Sequence, residues 1–225
     1  MKISALTGLF LLTALPAQAA PIVVELFQSQ GCSSCPPAIA NVNALAGRPD
    51  ILALSFGVTY WDYLGWKDTF ARSEFTNRQY DYKRGLHTGS VYTPQVVIDG
   101  RADLTGTNRG ELDAAIGRAV LPKDAPSLSV TGNAVTVSAA AAPAGGTDVW
   151  LVRYDPRVQN VDIAAGENSG VLLPHKNIVR GLSRLGNWSG AAQAYAIPAG
   201  GDPAWRSAIL VQGKNGGPIL AAVKL

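Results

Sequence analysis

The amino-acid sequence predicts an α/β domain followed by an antiparallel β-sandwich-like domain. Strand and helix signals alternate up to residue 121, and the composition changes in the Pro-containing segment 122–126. Beyond that segment, short alternating apolar runs are separated by turn residues. The predicted domains are therefore residues 20–121 and residues 126–225, preceded by an N-terminal segment of 19 residues.

The first half contains both strand and helix signals. Its predicted strands cover residues 22–27, 51–58, 95–98 and 101–104. The first two of these strands are apolar enough to be buried on both faces. Its predicted helices cover residues 38–46, 72–86 and 109–121. They are recognised by the helical spacing of apolar residues or by a polar surface pattern. Asp99–Gly100 lies between the last two strands and predicts a tight hairpin turn.

The second half contains strand signals and few helix signals. Short apolar runs separated by Gly, Pro and Asn predict strands at 128–130, 135–137, 149–154, 192–197, 208–212 and 219–223. Gly132–Asn133 lies between the first two of these strands and predicts a hairpin turn. Strands at this spacing are typical of an antiparallel β-sandwich of about 100 residues.

The first 19 residues predict a signal peptide. Lys2 precedes a mostly apolar stretch at 3–15, and the small residues around Ala17 and Ala19 are typical of a cleavage site. Neither this stretch nor any later segment approaches the ~20 apolar residues that a transmembrane helix needs. We therefore expect a periplasmic or secreted protein with no membrane span after signal cleavage, in a compartment that permits disulfides.

The charge pattern excludes an obvious polyanionic partner. The chain has 19 basic and 16 acidic residues, a net charge of +3, and the charges are scattered without a run of Lys or Arg. Because nucleic-acid and anionic-membrane surfaces are bound by clustered basic residues, we expect no nucleic-acid partner.

Cys32 and Cys35 are the only cysteines of the chain, in the sequence Cys-Ser-Ser-Cys. A structural disulfide between them would close a very short loop and so would stabilise the fold little. A structural zinc site needs about four ligands, and the two histidines, His87 and His175, lie at no finger-like spacing from the pair. A redox-active pair is the third possibility, because strained and exposed disulfides are the labile ones.

The place of the pair in the chain favours the redox interpretation. A buried strand precedes it and the next helix begins at it, so backbone N–H groups and the helix dipole favour a thiolate on the first cysteine. Cys32 is then expected to be the exposed catalytic nucleophile and Cys35 the resolving thiol one turn further in. The hydroxyls of Ser33 and Ser34 add weak donors to the Cys32 sulfur. No cofactor is expected.

The segments VVELFQSQGCSSCPP and VYTPQVVIDG, together with the β-α-β then β-β-α order, resemble thioredoxin. The resemblance implies a thioredoxin-like first domain in which Pro94 is a cis-proline facing the cysteines, with Thr93 before it at the substrate-binding position. It also implies that Glu25 is the buried acid of the first central strand and a proton acceptor for Cys35. Glu25 lies one residue further from the pair than in thioredoxins, and a salt bridge elsewhere is the alternative role.

Five longer segments resemble one secreted bacterial family, catalogued as domain of unknown function 1223. They are ELFQSQGCSSCPPA, YWDYLGWKD, SVYTPQVVIDG, LVRYDP and NIVRGLSRLGNW. This resemblance covers nearly the whole mature chain and implies a thioredoxin-like domain with a C-terminal β extension. It implies no activity, since that family is defined by sequence.

Two further features lie close to these motifs. Trp61 and Trp66, in an aromatic segment after the second strand, are candidates for a substrate-binding wall, with a loop pinned by its own aromatics as the alternative. His87 lies before the Thr-Pro segment, and exported thioredoxin-like copper proteins use two cysteines and a histidine, a ligand set suited to Cu(I). An ordinary histidine at a helix end is the alternative there.

Three functions remain open at the level of sequence. The leading hypothesis is a thiol–disulfide oxidoreductase whose partners, client proteins or a redox protein of the cell envelope, are engaged through a mixed disulfide. The second is a Cu(I) metallochaperone using Cys32, Cys35 and His87. The third is a non-catalytic protein-binding module, since a fold does not determine a function. All the candidate residues precede residue 122, so residues 20–121 are expected to carry the chemistry. Arg180 and Arg184 are the exceptions considered, as cations that could lie over the cysteines.

Overall fold

A mixed sheet of eight strands lies at the centre of the computed structural model, which describes residues 20–225. The predicted signal peptide, residues 1–19, lies outside the described residues. Between residues 20 and 225, no helix is both long enough and apolar enough to cross a membrane.

Thirteen strands and three α-helices follow one another along the described chain. The elements up to α3 are β1 (Ile22–Gln28), α1 (Cys35–Asn43), β2 (Ile51–Gly57), α2 (Ser73–Gly85), β3 (Gln95–Ile98), β4 (Ala102–Leu104) and α3 (Arg109–Gly117), with a single 3₁₀ turn at Asp62–Leu64 between β2 and α2. The later strands are β5 (Leu128–Thr131), β6 (Ala134–Val137), β7 (Thr147–Asp155), β8 (Gln159–Asp162), β9 (Leu172–His175), β10 (Ile178–Trp188), β11 (Gln193–Ala196), β12 (Arg206–Gly213) and β13 (Ile219–Lys224).

Strands from both halves of the chain share the central sheet, in the order β13-β12-β7-β10-β2-β1-β3-β4. β1 runs parallel to β2 and antiparallel to β3, whereas β7, β10, β12 and β13 form antiparallel pairs. The two halves meet where β10 runs parallel to β2, with Ile178 opposite Ser55. Two small sheets, β11-β6-β5 and β8-β9, lie outside this arrangement.

Asn177 fixes the junction between the two halves. Its backbone adopts a left-handed conformation, with φ of 50°, which Asn tolerates better than most residues. Its carbonyl accepts the N–H of Ser55 at 3.0 Å, and its side-chain amide donates to the carbonyl of Ala53 at 2.8 Å. One residue therefore satisfies two backbone groups of β2 at the point where β10 begins.

Three apolar clusters cover the faces of the central sheet. On one face, α2 packs through Phe75 and Tyr82 onto residues of β1 and β2 and onto the strands of the second half. On the opposite face, α1 and α3 cover β1 and β3, and this cluster includes both cysteines. The three-stranded sheet covers the second half through a third cluster around Trp188. The cysteines are thus part of a packed layer rather than of an isolated loop.

The structure supports a mixed α/β fold and differs from the sequence prediction in the second half. The antiparallel strands predicted there are present, and the three-stranded sheet packs face to face on them, as in a sandwich. They do not form a separate layer pair, because three of them, β7, β12 and β13, continue the sheet of the first half together with β10. The sequence also missed β8, β9 and β10.

Candidate active site

The cysteine pair lies between the end of β1 and the first turn of α1. The chain turns twice before the helix, where Cys32 N–H donates to the Ser29 carbonyl and Cys35 N–H donates to the Cys32 carbonyl, each at 3.1 Å. Pro36 and Pro37 fall in the first turn of α1, where the missing N–H groups cost no intrahelical bond. The helix therefore begins regularly at Cys35, directly beside Cys32.

The Cys32 sulfur is surrounded by hydroxyl groups. The Thr93 hydroxyl donates to Sγ at 3.3 Å, and the Ser34 hydroxyl lies at the same distance from Sγ. The backbone carbonyl of Thr93 lies 3.8 Å from Sγ and can accept the thiol proton when Cys32 is protonated. Both cysteines are free thiols in this structure.

These contacts favour the thiolate form of Cys32. A hydrogen bond with the Cys35 thiol lowers its pKa most, burial opposes that effect, and the bonds with Ser34 and Thr93 lower it further, to about 6. At neutral pH the larger fraction of Cys32 is therefore ionised, which is the form that attacks a disulfide.

Cys35 has the opposite character. Burial raises its pKa well above the usual range of a thiol, and the adjacent Cys32 sulfur, through its hydrogen bond and its charge, raises it further. The pair is therefore asymmetric, with an ionised Cys32 beside a protonated Cys35.

The segment before β3 faces the pair. The Thr93–Pro94 peptide bond is cis, and Pro94 is buried. Gln79 of α2 holds this segment by donating to the Tyr92 carbonyl at 2.8 Å and to the Gln95 side chain at 2.9 Å. Thr93 is thus brought to the Cys32 sulfur although it lies 61 positions after Cys32 in the chain.

The two predicted aromatic residues are half-buried and turn their indole N–H groups inward. Trp61 donates to the Thr93 hydroxyl at 2.7 Å, and Trp66 donates to the Gln30 side chain at 2.9 Å. Both rings pack against the cluster that contains the cysteines. Tyr63, between them, is 78% exposed. The hydrogen bond of Trp61 therefore leads to Thr93 beside the Cys32 sulfur, whereas that of Trp66 leads to Gln30.

The second half of the chain contributes two residues that the sequence did not indicate. Asn168, between β8 and β9, donates its amide to the carbonyls of Gln30 at 2.8 Å and Cys32 at 2.9 Å. The neighbouring Glu167 carboxylate accepts the Ser33 N–H at 3.0 Å and the Ser33 hydroxyl at 2.7 Å. Both residues are far from the cysteines in the chain, in a stretch rich in Ala, Gly and Ser without periodicity, so no local signal reveals them.

Glu25 does not lie with the cysteines. Successive side chains of a strand point to opposite faces of the sheet, so Val24 and Leu26 pack with the cysteines while Glu25 faces α2. There its carboxylate forms a fully buried ion pair with Arg78, at 2.7 and 3.1 Å, and accepts the Tyr82 hydroxyl. The structure therefore supports the salt-bridge alternative for Glu25 and not the role of proton acceptor for Cys35.

The other charged candidates also lie apart from the pair. His87 is exposed at the end of α2, and within residues 20–225 no three His, Cys, Asp or Glu side chains come together as a metal site. Arg184 pairs with Asp148 at 2.7 Å, and Arg180 lies over the ring of Phe70 at 4.5 Å. His175 is buried against the same ring, and burial lowers its pKa to about 4.

Two solved structures are similar to this chain. The X-ray crystal structure of protein AGR_C_4864 from Agrobacterium tumefaciens matches with a TM-score of 0.69 and 33% sequence identity, covering 93% of this chain and 96% of that one. HBP35 of Porphyromonas gingivalis matches with a TM-score of 0.57 and 12% identity, covering 92% of this chain and 74% of that one. At 12% identity the second match concerns the fold alone.

No curated protein matches the sequence. The profile of one sequence family matches residues 23–212, which are most of the described chain. With the cysteine loop, Thr93–Pro94 and Asn168 all inside that range, the chain belongs to the family described as "Protein of unknown function (DUF1223)".

Proposed function

We propose that this protein is a thiol–disulfide oxidoreductase that acts through Cys32 and Cys35. The observation that carries the proposal is the asymmetry of the pair. The Thr93 hydroxyl donates to the Cys32 sulfur and the Ser34 hydroxyl lies at the same distance of 3.3 Å, and the pKa of Cys32 is lowered while burial raises that of Cys35. The resemblance to thioredoxin over the first half, with Thr93–Pro94 facing the pair, supports the same function. The Cu(I) alternative lacks a third ligand near the pair in residues 20–225.

In the first step, the Cys32 thiolate attacks one sulfur of a client disulfide. A bond forms between Cys32 and that sulfur, the client disulfide breaks, and the other client sulfur leaves as a thiolate. The Thr93 and Ser34 hydroxyls stabilise the Cys32 thiolate before attack. The backbone around Pro94 is the place where an extended client segment would be held by hydrogen bonds.

In the second step, Cys35 resolves the mixed disulfide. Its thiol proton passes to the departed client thiolate, and the resulting thiolate attacks the Cys32 sulfur. A Cys32–Cys35 disulfide forms, the mixed disulfide breaks, and the second client sulfur leaves and takes a proton from water. Two electrons have then passed from the pair to the client, and an external dithiol returns them by the same steps in reverse.

The clients are proposed to lie outside the cytoplasm, because the predicted signal peptide directs export. In that compartment disulfides form and persist, so that proteins with reducible or misplaced disulfides are available as clients. The direction of the net reaction follows from the potential of the external partner relative to that of the pair.

A trapping experiment tests the proposal. In the Cys35→Ser variant the first step proceeds and the second cannot, so mixed disulfides between Cys32 and clients are expected to accumulate in the cell envelope. Cys32→Ser is the matched control and is expected to trap nothing. If the wild-type pair does not cycle between dithiol and disulfide in glutathione buffers, the protein is not an oxidoreductase and the binding-module alternative gains support.

A further inference from the structure

The Thr93 hydroxyl has one proton, and its neighbours decide where that proton points. The Trp61 indole N–H, which can only donate, points at the Thr93 oxygen from 2.7 Å. The Cys32 sulfur lies 3.3 Å from the same oxygen. The Tyr60 hydroxyl donates its own proton to Gln79 at 3.1 Å and does not compete with Trp61 as a donor to the Thr93 oxygen.

We infer that Trp61 is a positioning residue that turns the hydroxyl proton of Thr93 toward the Cys32 sulfur. The indole occupies a lone pair of the Thr93 oxygen, which leaves the hydroxyl proton to be donated, and the Thr93 hydroxyl donates it to the Cys32 sulfur at 3.3 Å. A threonine without this donor is free to rotate its hydroxyl and to accept a proton from Cys32 instead. The inference rests on the proposed function, in which the Cys32 thiolate is the attacking group.

Trp66 provides a matched comparison within the same segment. It is also half-buried and also packs against the cysteine cluster, but its N–H donates to Gln30 at 2.9 Å and not to Thr93. Replacing either tryptophan by phenylalanine removes one N–H and keeps an aromatic ring. The two variants therefore differ mainly in whether the lost hydrogen bond leads to Cys32.

The test is the pKa of Cys32 in the reduced protein, measured from the ultraviolet absorbance of the thiolate. One net hydrogen bond corresponds to about half to one pKa unit, so Trp61→Phe should raise the pKa by that amount. Trp66→Phe should leave it unchanged. In a Thr93→Val background, Trp61→Phe should have no further effect, because the hydroxyl is already absent.

Two results would overturn the inference. One is an unchanged Cys32 pKa in Trp61→Phe, and the other is a shift of equal size whether Trp61→Phe is made in the wild-type protein or in the Thr93→Val variant. Circular dichroism of each variant checks that the fold is intact. Mixed-disulfide trapping with Cys35→Ser remains a separate measurement, so a failure of the proposed function is distinguishable from a failure of this inference.

A second inference comes from the burial of the nucleophile itself. Cys32 is 0% exposed, so a client disulfide cannot reach its sulfur in this conformation. The turn of residues 166–170, the covering turn, contacts the backbone of the cysteine loop through Asn168 and Glu167. A Cβ placed on Gly166 would lie 3.4 Å from Trp66 and 4.0 Å from Gly31, which shows how closely the turn is seated.

We propose that the covering turn is a lid that moves away before a client reaches Cys32. Gly166 and Gly170 bound it in left-handed conformations, with φ of 78° and 80°. The β8–β9 hairpin that carries it is held to α1 by Asn43, which donates to the Pro174 carbonyl at 2.8 Å and accepts the Lys176 N–H at 3.0 Å. The proposed movement is therefore confined to the turn, and it breaks no hydrogen bond of the central sheet. The polar contacts that hold the turn to the cysteine loop are those of Asn168 and Glu167.

Asn41 is a matched control for the asparagine of the lid. It also donates one amide to two backbone carbonyls, those of Gly106 at 2.9 Å and Thr107 at 3.0 Å, and these lie away from the covering turn. Asn168→Ala and Asn41→Ala therefore remove the same number and kind of hydrogen bonds. Only the first of them releases the covering turn.

The measurement is the rate at which a maleimide modifies Cys32, at a pH well above the Cys32 pKa so that the thiolate fraction is constant. Losing two hydrogen bonds should raise the rate in Asn168→Ala by roughly tenfold or more. Glu167→Ala, at an exposed pair of contacts that does not threaten the fold, should raise it by a smaller factor. Asn41→Ala should leave the rate unchanged. Unchanged rates in both lid variants, or equal acceleration by Asn41→Ala, would overturn the proposal.

Discussion

Two buried polar groups of residues lie on opposite faces of the same strand, β1. On the α2 face, Glu25, Arg78 and Tyr82 form a closed network, in which Gln212 of the second half also donates to the Tyr82 hydroxyl at 3.1 Å. On the other face, the Cys32 sulfur lies 3.3 Å from the hydroxyls of Thr93 and Ser34. The first network satisfies its charges internally, whereas the second leaves an ionised sulfur stabilised by hydroxyls.

The difference shows that β1 places a stabilising ion pair on one face of the sheet and a reactive thiolate on the other. A buried ion pair with complete hydrogen bonding has no free group for chemistry, and removing one partner is costly. A thiolate held by neutral donors remains a nucleophile. Because the side chains alternate along β1, the Arg78 charge is directed to the face away from Cys32, and the two networks are expected to respond independently to substitution.

The largest effect is expected from Arg78→Met, which leaves the Glu25 carboxylate buried without its cation. The free energy of unfolding should fall by about 3–5 kcal/mol in denaturant titrations, while the pKa of Cys32 should stay near its wild-type value. The double variant Glu25→Leu/Arg78→Met should recover much of the loss. A shift in the Cys32 pKa in the stable double variant would show that the two faces are coupled.

A smaller loss is expected from Gln212→Leu. This side chain donates to the Tyr82 hydroxyl and, at 2.9 Å, to the Gly217 carbonyl, so its removal should lower the free energy of unfolding by about 1–3 kcal/mol. Gln193→Leu, at an exposed position of β11, is the control and should change stability little. Equal effects of the two substitutions would contradict the assigned role of Gln212.

The pH dependence of Cys32 alkylation tests the face of β1 that carries the cysteines. Because its pKa is lowered to about 6, the thiolate fraction should rise as the pH increases through that value and reach a plateau near neutral pH. The rate of alkylation should accordingly rise about tenfold from one pH unit below the pKa to the plateau. Cys32→Ser should remove the transition. A midpoint near that of an ordinary thiol would argue against the hydrogen bonds described for Cys32.

The smallest effect is expected from Ser34→Ala. Loss of one weak hydroxyl donor should raise the pKa of Cys32 by about half a unit and slow alkylation below the midpoint about threefold, with little change in stability. For the pKa of Cys32, Ser33→Ala is the adjacent control, because the Ser33 hydroxyl donates to Glu167 and not to the sulfur. A pKa shift of equal size in the control would mean that the loop, rather than the Ser34 hydroxyl, controls the thiolate.

The parts of the site that sequence could predict are those that local motifs specify. The cysteine pair at a strand–helix junction and the Thr93–Pro94 segment before β3 are recognisable from sequence and lie together in the structure. Resemblance assigns Glu25 to the pair, and alternation along β1 instead directs it to Arg78. Arg78 itself lies in a segment that reads as a surface helix, where nothing in the local pattern indicates a buried cation.

The sequence pattern does not predict β10, for a different physical reason. Its pairing with β7 shifts register between Val179 and Gly181 and again between Arg184 and Gly186. Each irregularity interrupts the period-two alternation by which a half-buried strand is recognised, so the sequence shows no continuous pattern. Without β10, the second half cannot be placed beside β2 from the sequence. The contact between Asn168 and the cysteine loop therefore cannot be predicted either.

The junction at Asn177 determines what happens to β2 when the first half of the chain is expressed without the second. β2 is buried at all seven positions, and in a chain ending near residue 121 its side toward β10 would present unpaired N–H and C=O groups next to an apolar surface. Such an open strand edge is a template for pairing with other chains and therefore for aggregation. The second half covers this edge of β2. If a fragment of residues 20–121 is insoluble, the cause is therefore the exposed strand edge, and the result says nothing about the chemistry of Cys32.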